Sequence, residues 1–146
     1  MKIIVAYYKG DPQEVIVDDD FEWQGKVSIT SGGRAQVCIG RKSYLLHRVI
    51  MVAKDGELVD HINMNPLDNR RCNLRLATSS QNIANQFKKG YTYRKDRGKY
   101  HARIRFQGKE VSLGMHDTEE EARLSYMTAH VKYFGEFSPY YKGGVN

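Results

Sequence analysis

The sequence predicts an α+β protein made of small sheets and few helices, arranged as two modules. Three observations lead there. Apolar and polar residues alternate in short runs separated by turn residues, the period of half-buried strands. Two capping boxes, Thr78-Ser79-Ser80-Gln81 and Thr118-Glu119-Glu120-Glu121, each follow strand-like segments and open a helix. The charge balance changes along the 146 residues: positions 1–85 carry 11 Lys/Arg against 10 Asp/Glu, and positions 86–146 carry 12 against 7.

Residues 1–46 read as a small antiparallel sheet, with Trp23 near its start. Lys26–Ile29, Ala35–Ile39 and Ser43–Leu46 are its clearest strands, broken at Ser31-Gly32-Gly33 and Gly40-Arg41-Lys42. Leu46, Ile50 and Val52 lend an apolar side to a short helix over His47–Ala53. Gly56–Ile62 is a strand, Asn63–Asn73 a long loop, and Leu74–Ala77 a second strand. The helix capped by Thr78 is expected to run to about Lys88, with Ile83 and Phe87 four apart on its apolar side. Lys88-Lys89-Gly90 ends it and serves as a linker, so the expected modules are 1–88 and 89–146.

The second module is expected to be a three-stranded sheet with one packed helix. Tyr91–Lys95 is the first strand. In Tyr100–Phe106, residues Tyr100, Ala102, Ile104 and Phe106 face one way, and His101, Arg103 and Arg105 the other. Gln107-Gly108 suits a hairpin turn into Lys109–Leu113. Ala122, Tyr126, Ala129 and Tyr133 share a face of the last helix, and Gly135 stops it.

Composition narrows the partners. The formal net charge is +6, and nine basic residues stand against one acid, Asp96, between Gln86 and Lys109. Such a stripe, interleaved with Tyr91, Tyr93, Tyr100 and Phe106, points to a polyanion such as nucleic acid, although a charged run also serves simply as a solvated face. Cys38 and Cys72 form no close pair, so neither a structural zinc nor a disulfide framework is expected. The apolar start Met1–Lys9 is too brief for a signal peptide, and no run is long enough to span a membrane, which leads to an intracellular, cytoplasmic expectation.

The chemistry-bearing residues fall between positions 60 and 82. Asp60-His61 ends a strand, Asn73 sits late in the loop, and Asn82 lies in the first turns of the next helix. Hydrolysis of a phosphodiester needs an activated water and positive charge against the phosphate and the leaving oxygen. An imidazole suits the first task and a divalent cation the second. A carboxylate and an amide oxygen are hard ligands suited to magnesium or manganese. By spacing alone, an Asp-His pair is more often structural and an Asn-rich loop more often a turn.

The stretches Leu46-His47-Arg48-Val49-Ile50, Val59-Asp60-His61-Ile62-Asn63-Met64-Asn65-Pro66-Leu67-Asp68-Asn69, Cys72-Asn73-Leu74-Arg75 and Ser80-Gln81-Asn82 agree in order and spacing with one family. They resemble the HNH homing endonucleases of phage and mobile introns, in the nickase branch where the last His of the motif is Asn. The resemblance implies a ββα-metal fold and a DNA endonuclease leaving 5′-phosphate and 3′-hydroxyl ends. It implies His61 as the general base, Asp60 and Asn82 as ligands of one divalent ion (magnesium or manganese), and Asn73 as the residue that pins the loop. His47 matches a recurrent His-Arg and is expected to pack or hydrogen-bond, not to ligate. Arg70, Arg71 and Arg75 flank the loop and are candidates to grip phosphates, with a solvated role as the alternative.

Residues 90–140 resemble the APETALA-type, ethylene-response-factor-like DNA-binding domain, through Gly90–Lys95, Gly98–Ile104, Leu113–Ala122 and Gly135-Glu136-Phe137. That resemblance implies a sheet lying in the major groove. It makes Arg94, Lys95, Arg97, Lys99, Arg103 and Arg105 the expected DNA contacts, joined by Tyr93 and His101. The tryptophans that plant members carry on this sheet are missing here, so no base preference transfers. His116 and His130 are expected at the surface. Arg34, Arg41 and Lys42 could extend the footprint. The partner is double-stranded DNA and the chain a monomer or homodimer, nicking one strand or cutting both. The rival reading is a non-catalytic, sequence-specific DNA-binding regulator. An RNA-directed reading is weaker, because the exposed strand positions are His101, Arg103 and Arg105 in place of stacking aromatics.

Overall fold

A computed structural model of the chain describes residues 1–142. The chain divides into two compact units, Met1–Asn82 and Ile83–Asn146. Among the described residues no helix is long and apolar enough to cross a membrane.

The first unit begins with β1 (Lys2–Tyr8) and β2 (Asp11–Val17), followed by β3 (Val27–Ile29), β4 (Ala35–Ile39) and β5 (Lys42–Leu45). Lys9 and Gly10, both at positive φ, make the two-residue turn that joins β1 to β2. The strands form one sheet in the order β2-β1-β3-β4-β5. The sequence predicts an antiparallel sheet, but the sheet is mixed: β3 runs parallel to β1, with Tyr7 opposite Ser28. The outer edge of β2 is taken by a distant loop. Ile16 N–H donates to Leu67 O at 2.8 Å, and Asn69 N–H donates to Ile16 O at 2.8 Å. The sheet's inner face supplies Ala6, Val15, Val17, Val27, Ile29, Ala35 and Val37 to a core that Phe21 and Leu46 complete. Leu46 opens helix α1 (Leu46–Ile50) and is fully buried, a burial that stabilises by about 1.5–3 kcal/mol.

The strand–loop–strand segment of the same unit is an antiparallel ribbon of β6 (Leu58–His61) and β7 (Leu74–Ala77), which pairs Asp60 with Arg75 and His61 with Leu74. Helix α2 (Ser79–Ala84) follows, and its capping box is formed: Gln81 N–H donates to Thr78 Oγ1 at 3.2 Å, and Thr78 N–H to Gln81 Oε1 at 2.8 Å. The helix stops four residues short of the expected Lys88. Phe87 does not extend an apolar stripe with Ile83. It packs against Tyr140 (ring centroids 5.5 Å apart), and the Tyr140 hydroxyl bonds both the N–H and the C=O of Lys88. Those tertiary bonds hold the segment out of the helix.

In the second unit β8 (Tyr91–Arg94), β9 (Lys99–Phe106) and β10 (Lys109–His116) form an antiparallel sheet in the order β10-β9-β8. Helix α3 (Glu119–Phe134) carries the full Thr118–Glu121 capping box. Ala102 and Ile104 turn inward as their alternation predicts, and Ile104 packs with Tyr126 and Ala129 of the helix. A bulge between Ser112 and Met115, with Gly114 at φ +98°, lengthens β10 beyond the predicted Leu113.

His130 corrects a sequence expectation. It is 2% exposed, ringed by Tyr126, Phe134 and Tyr140, with Nδ1 2.9 Å from Ser138 Oγ. Its helical neighbours Tyr126 and Phe134 are aromatic, and the returning tail closes over it. Burial lowers its pKa from 6.5 to about 4, with a smaller contribution from Lys88. A depressed value means that stability is complete above pH 6.5 and is lost as pH falls through the folded value, by about 3 kcal/mol in all. We expect the melting temperature of the second unit to fall between pH 6.5 and 4, and His130→Gln to flatten that fall in thermal scans followed by circular dichroism.

Candidate active site and nucleic-acid interface

The site is built on the β6–β7 ribbon. Strand alternation sends the side chains of Asp60 and His61 to opposite faces, and both are buried. On one face Arg75, directly across the ribbon, holds Asp60 Oδ2 through Nε (3.0 Å) and Nη2 (2.9 Å). On the other, the His61 ring meets the His47 ring edge-on, with centroids 5.0 Å apart and planes at 77°. Helix α1 brings His47 there. Arg48, the next residue, donates to the carbonyls of Glu57 and Lys54 (2.8 Å to the latter), which ties the helix to the turn entering β6.

Asn73 closes the loop onto the strand. Its Oδ1 accepts from Asn63 N–H at 3.0 Å, and its Nδ2 donates to Asn63 Oδ1 (2.9 Å) and to Asp68 O (2.8 Å). Asn73 O accepts from Ile62 N–H at 2.9 Å, so Asn73 fastens both residues that follow His61, Ile62 through its backbone and Asn63 through its side chain. Asp68 and Asn69 are fully buried where the loop pairs with β2. Asn63, Asp68 and Asn69 belong to the motif by spacing, but their task, holding the loop closed and covering the edge of β2, depends on the sheet edge and is not visible in the sequence.

Each of the three arginines beside the loop has a carboxylate partner. Arg70 makes a two-pronged bond to Asp68 (2.8 and 2.6 Å) and lowers the pKa of that carboxyl. Arg71 spans to Asp18 and Asp20, more than fifty residues away in the chain. Arg75 compensates the buried Asp60. Each holds a carboxylate in place.

Burial lowers the His61 pKa below the ordinary histidine value; Asn69 and Asp60 oppose the shift and Arg34 adds slightly to it. His47 is lowered from 6.5 to about 4, first by burial and then by His61, Arg34 and Arg48. Both rings are therefore neutral at pH 7, the form in which an imidazole accepts a proton. The field of the exposed Arg34 guanidinium reaches both rings from the turn between β3 and β4.

Asn82 lies half-buried in α2, its backbone N–H bonded to Thr78 O at 2.9 Å. Among the described residues no group of three or more His, Cys, Asp or Glu is disposed to hold a metal. The expected ligand pair, one carboxylate and one amide oxygen, does not amount to such a group, and its donor chemistry fits a hard divalent cation.

The second unit presents a basic sheet face. Register places Thr92 opposite His101, Arg94 opposite Lys99, Ser112 opposite Arg103 and Glu110 opposite Arg105, all on the face away from the Ala102–Ile104 core. Tyr93 is not among them. It pairs with Tyr100 on the other face, with ring centroids 5.0 Å apart. Lys95 and Arg97 sit in the turn between β8 and β9. Arg94 pairs with Asp96 (3.0 Å), Arg97 with Asp96 (3.8 Å), Lys99 with Asp117 (3.0 Å) and Arg103 with Glu110 (3.0 Å). His101 Nε2 lies 2.8 Å from Ser112 Oγ. These ion pairs are solvent-exposed and individually weak. Lys95 and Arg105 have no ion-pair partner among the described residues.

No curated protein and no solved structure matches the chain. Residues 44–84 match a family model described as HNH endonuclease. That segment encloses α1, the ribbon, the loop and α2, with Asp60, His61, Asn73 and Asn82 inside it. The match supports an HNH nuclease domain in this stretch of the chain, and with it nuclease activity on DNA.

Proposed function

We propose that this chain is a metal-dependent, site-recognising DNA endonuclease of the homing type, with its nuclease module in the first unit and an APETALA-type DNA-holding module in the second. The observation that carries the reading is the HNH family match over 44–84, which brackets Asp60, His61, Asn73 and Asn82. The neutral, buried His61 accepts the proton of the attacking water. Asn73 keeps the His-bearing strand at its angle through the bonds to Asn63 and Asp68. One divalent cation, magnesium or manganese, held by Asp60 and Asn82, would supply positive charge against the phosphate and the leaving 3′ oxygen. The products are 5′-phosphate and 3′-hydroxyl ends. A monomer nicks one strand, and a homodimer cuts both. Arg34, close enough to act on both imidazoles, is suited to a phosphate beside the cut.

The sheet face carrying Arg94, Lys99, His101, Arg103 and Arg105, with the turn residues Lys95 and Arg97, holds the duplex mainly through phosphates. Arg105 is exposed and without an ion-pair partner among the described residues, so Arg105→Ala should weaken binding on all sequences alike. It should also reduce the slope of log K against log salt by about 1, measured by fluorescence anisotropy from 50 to 300 mM salt.

The direct test is relaxation of supercoiled plasmid, including plasmids that carry phage or intron DNA, in magnesium or manganese with an EDTA control. Open circles that require metal support the nuclease, and linear product adds two-strand cutting. Tight binding with no strand break on any of these substrates would replace the reading with the DNA-binding regulator.

A further inference from the structure

His47 has no part in the reaction as set out above, yet its place is unusual for a packing residue. It is 5% exposed, its ring lies edge-on to the His61 ring at 5.0 Å, and its Nδ1 is buried with no hydrogen-bond partner among the described residues. A phenylalanine would make the same edge contact without the penalty of an unpaired buried nitrogen. The nitrogen therefore needs a partner from outside the chain, and one water molecule is the smallest group that satisfies it. The support behind His47 is stiff. Leu46 before it is locked in the main core, and Arg48 after it clamps the turn that leads into β6.

We propose that His47 is a positioning residue for His61: the edge of its ring fixes the plane of the His61 ring, and its Nδ1 holds a water molecule against that ring. The inference rests on His61 being the base of the nuclease, so the test reads the two ideas separately. His47→Phe keeps the ring and loses the nitrogen. His47→Asn places an amide oxygen near the position of Nδ1.

In full-length protein we expect His47→Phe to lower kcat for plasmid nicking at least 10-fold, with KM unchanged and a melting temperature equal to or above that of the native protein. His47→Asn should recover part of the loss. Independently of activity, ¹⁵N-edited spectra of the histidine rings at fixed pH should show the His61 signals shifted or broadened in His47→Phe and nearer native in His47→Asn. Native kcat together with native His61 signals in His47→Phe would overturn the proposal. So would losses in both variants that track a fall in melting temperature while the His61 signals stay put. If the native protein nicks nothing, the nuclease reading falls, and the ring signals alone then decide whether His47 positions His61.

Discussion

His61→Ala is expected to lower the metal-dependent nicking rate by about 10² to 10⁴-fold while leaving duplex affinity within a factor of about two. The reasoning is geometric first. His61 ends β6, is fastened on one side by the Asn73–Ile62 backbone bond and faces His47 on the other. The ring is buried but small, so its removal leaves the ribbon register, the Asn73 bonds and the Asp60–Arg75 pair in place. The pH dependence has a definite sign. Because burial lowers the His61 pKa below 6.5, the rate should be on its plateau at neutral pH and fall only as the medium becomes more acidic than the ordinary histidine value. Single-turnover nicking across pH 5–8, native against His61→Ala, measures both. A variant that cuts at the native rate would remove His61 from the chemistry.

Gly90→Ala should produce the largest loss of stability in the second unit. Gly90 sits at φ +72°, and a Cβ placed there would lie 2.1 Å from the Tyr126 ring. Tyr126 cannot step aside, because it is 5% exposed and packed with Ile104 and Ala129. Gly90 O also accepts from Arg103 N–H at 2.9 Å, so moving the backbone instead would disturb the edge of the sheet. Left-handed strain and overpacking together cost about 2–4 kcal/mol, or a fall on the order of 10 °C or more in melting temperature for a unit of this size. If the second unit holds the duplex, KM should rise while the rate at saturating DNA changes little. Calorimetry and nicking kinetics on the same preparation separate the two effects, and an unchanged melting temperature would show that Tyr126 has room to move.

Two kinds of information are separable in this chain. Patterns that close within a few residues are legible directly: the capping boxes at Thr78 and Thr118, the limits of β4 and β7, the inward turn of Ala102 and Ile104, and the Gln107-Gly108 hairpin. Each depends on a helical or strand period, or on a turn that needs positive φ, and those are local properties of the backbone. The order of Asp60, His61, Asn73 and Asn82 was legible as well, because a motif is a matter of spacing.

The tertiary structure decided what spacing leaves open. It assigned Arg70, Arg71 and Arg75 to carboxylates, in the case of Arg71 to ones more than fifty residues away. It placed His130 inside an aromatic cluster and ended α2 at Ala84 when Tyr140 took Phe87 and the Lys88 backbone. It set β3 beside β1, and it set His47 against His61. Apart from Arg70, which takes Asp68 two residues before it, and the helical neighbours of His130, the partners come from other stretches of the chain. The identity of a charged or aromatic residue fixes how strongly it can bind, but only the path of the backbone determines which partner comes within reach.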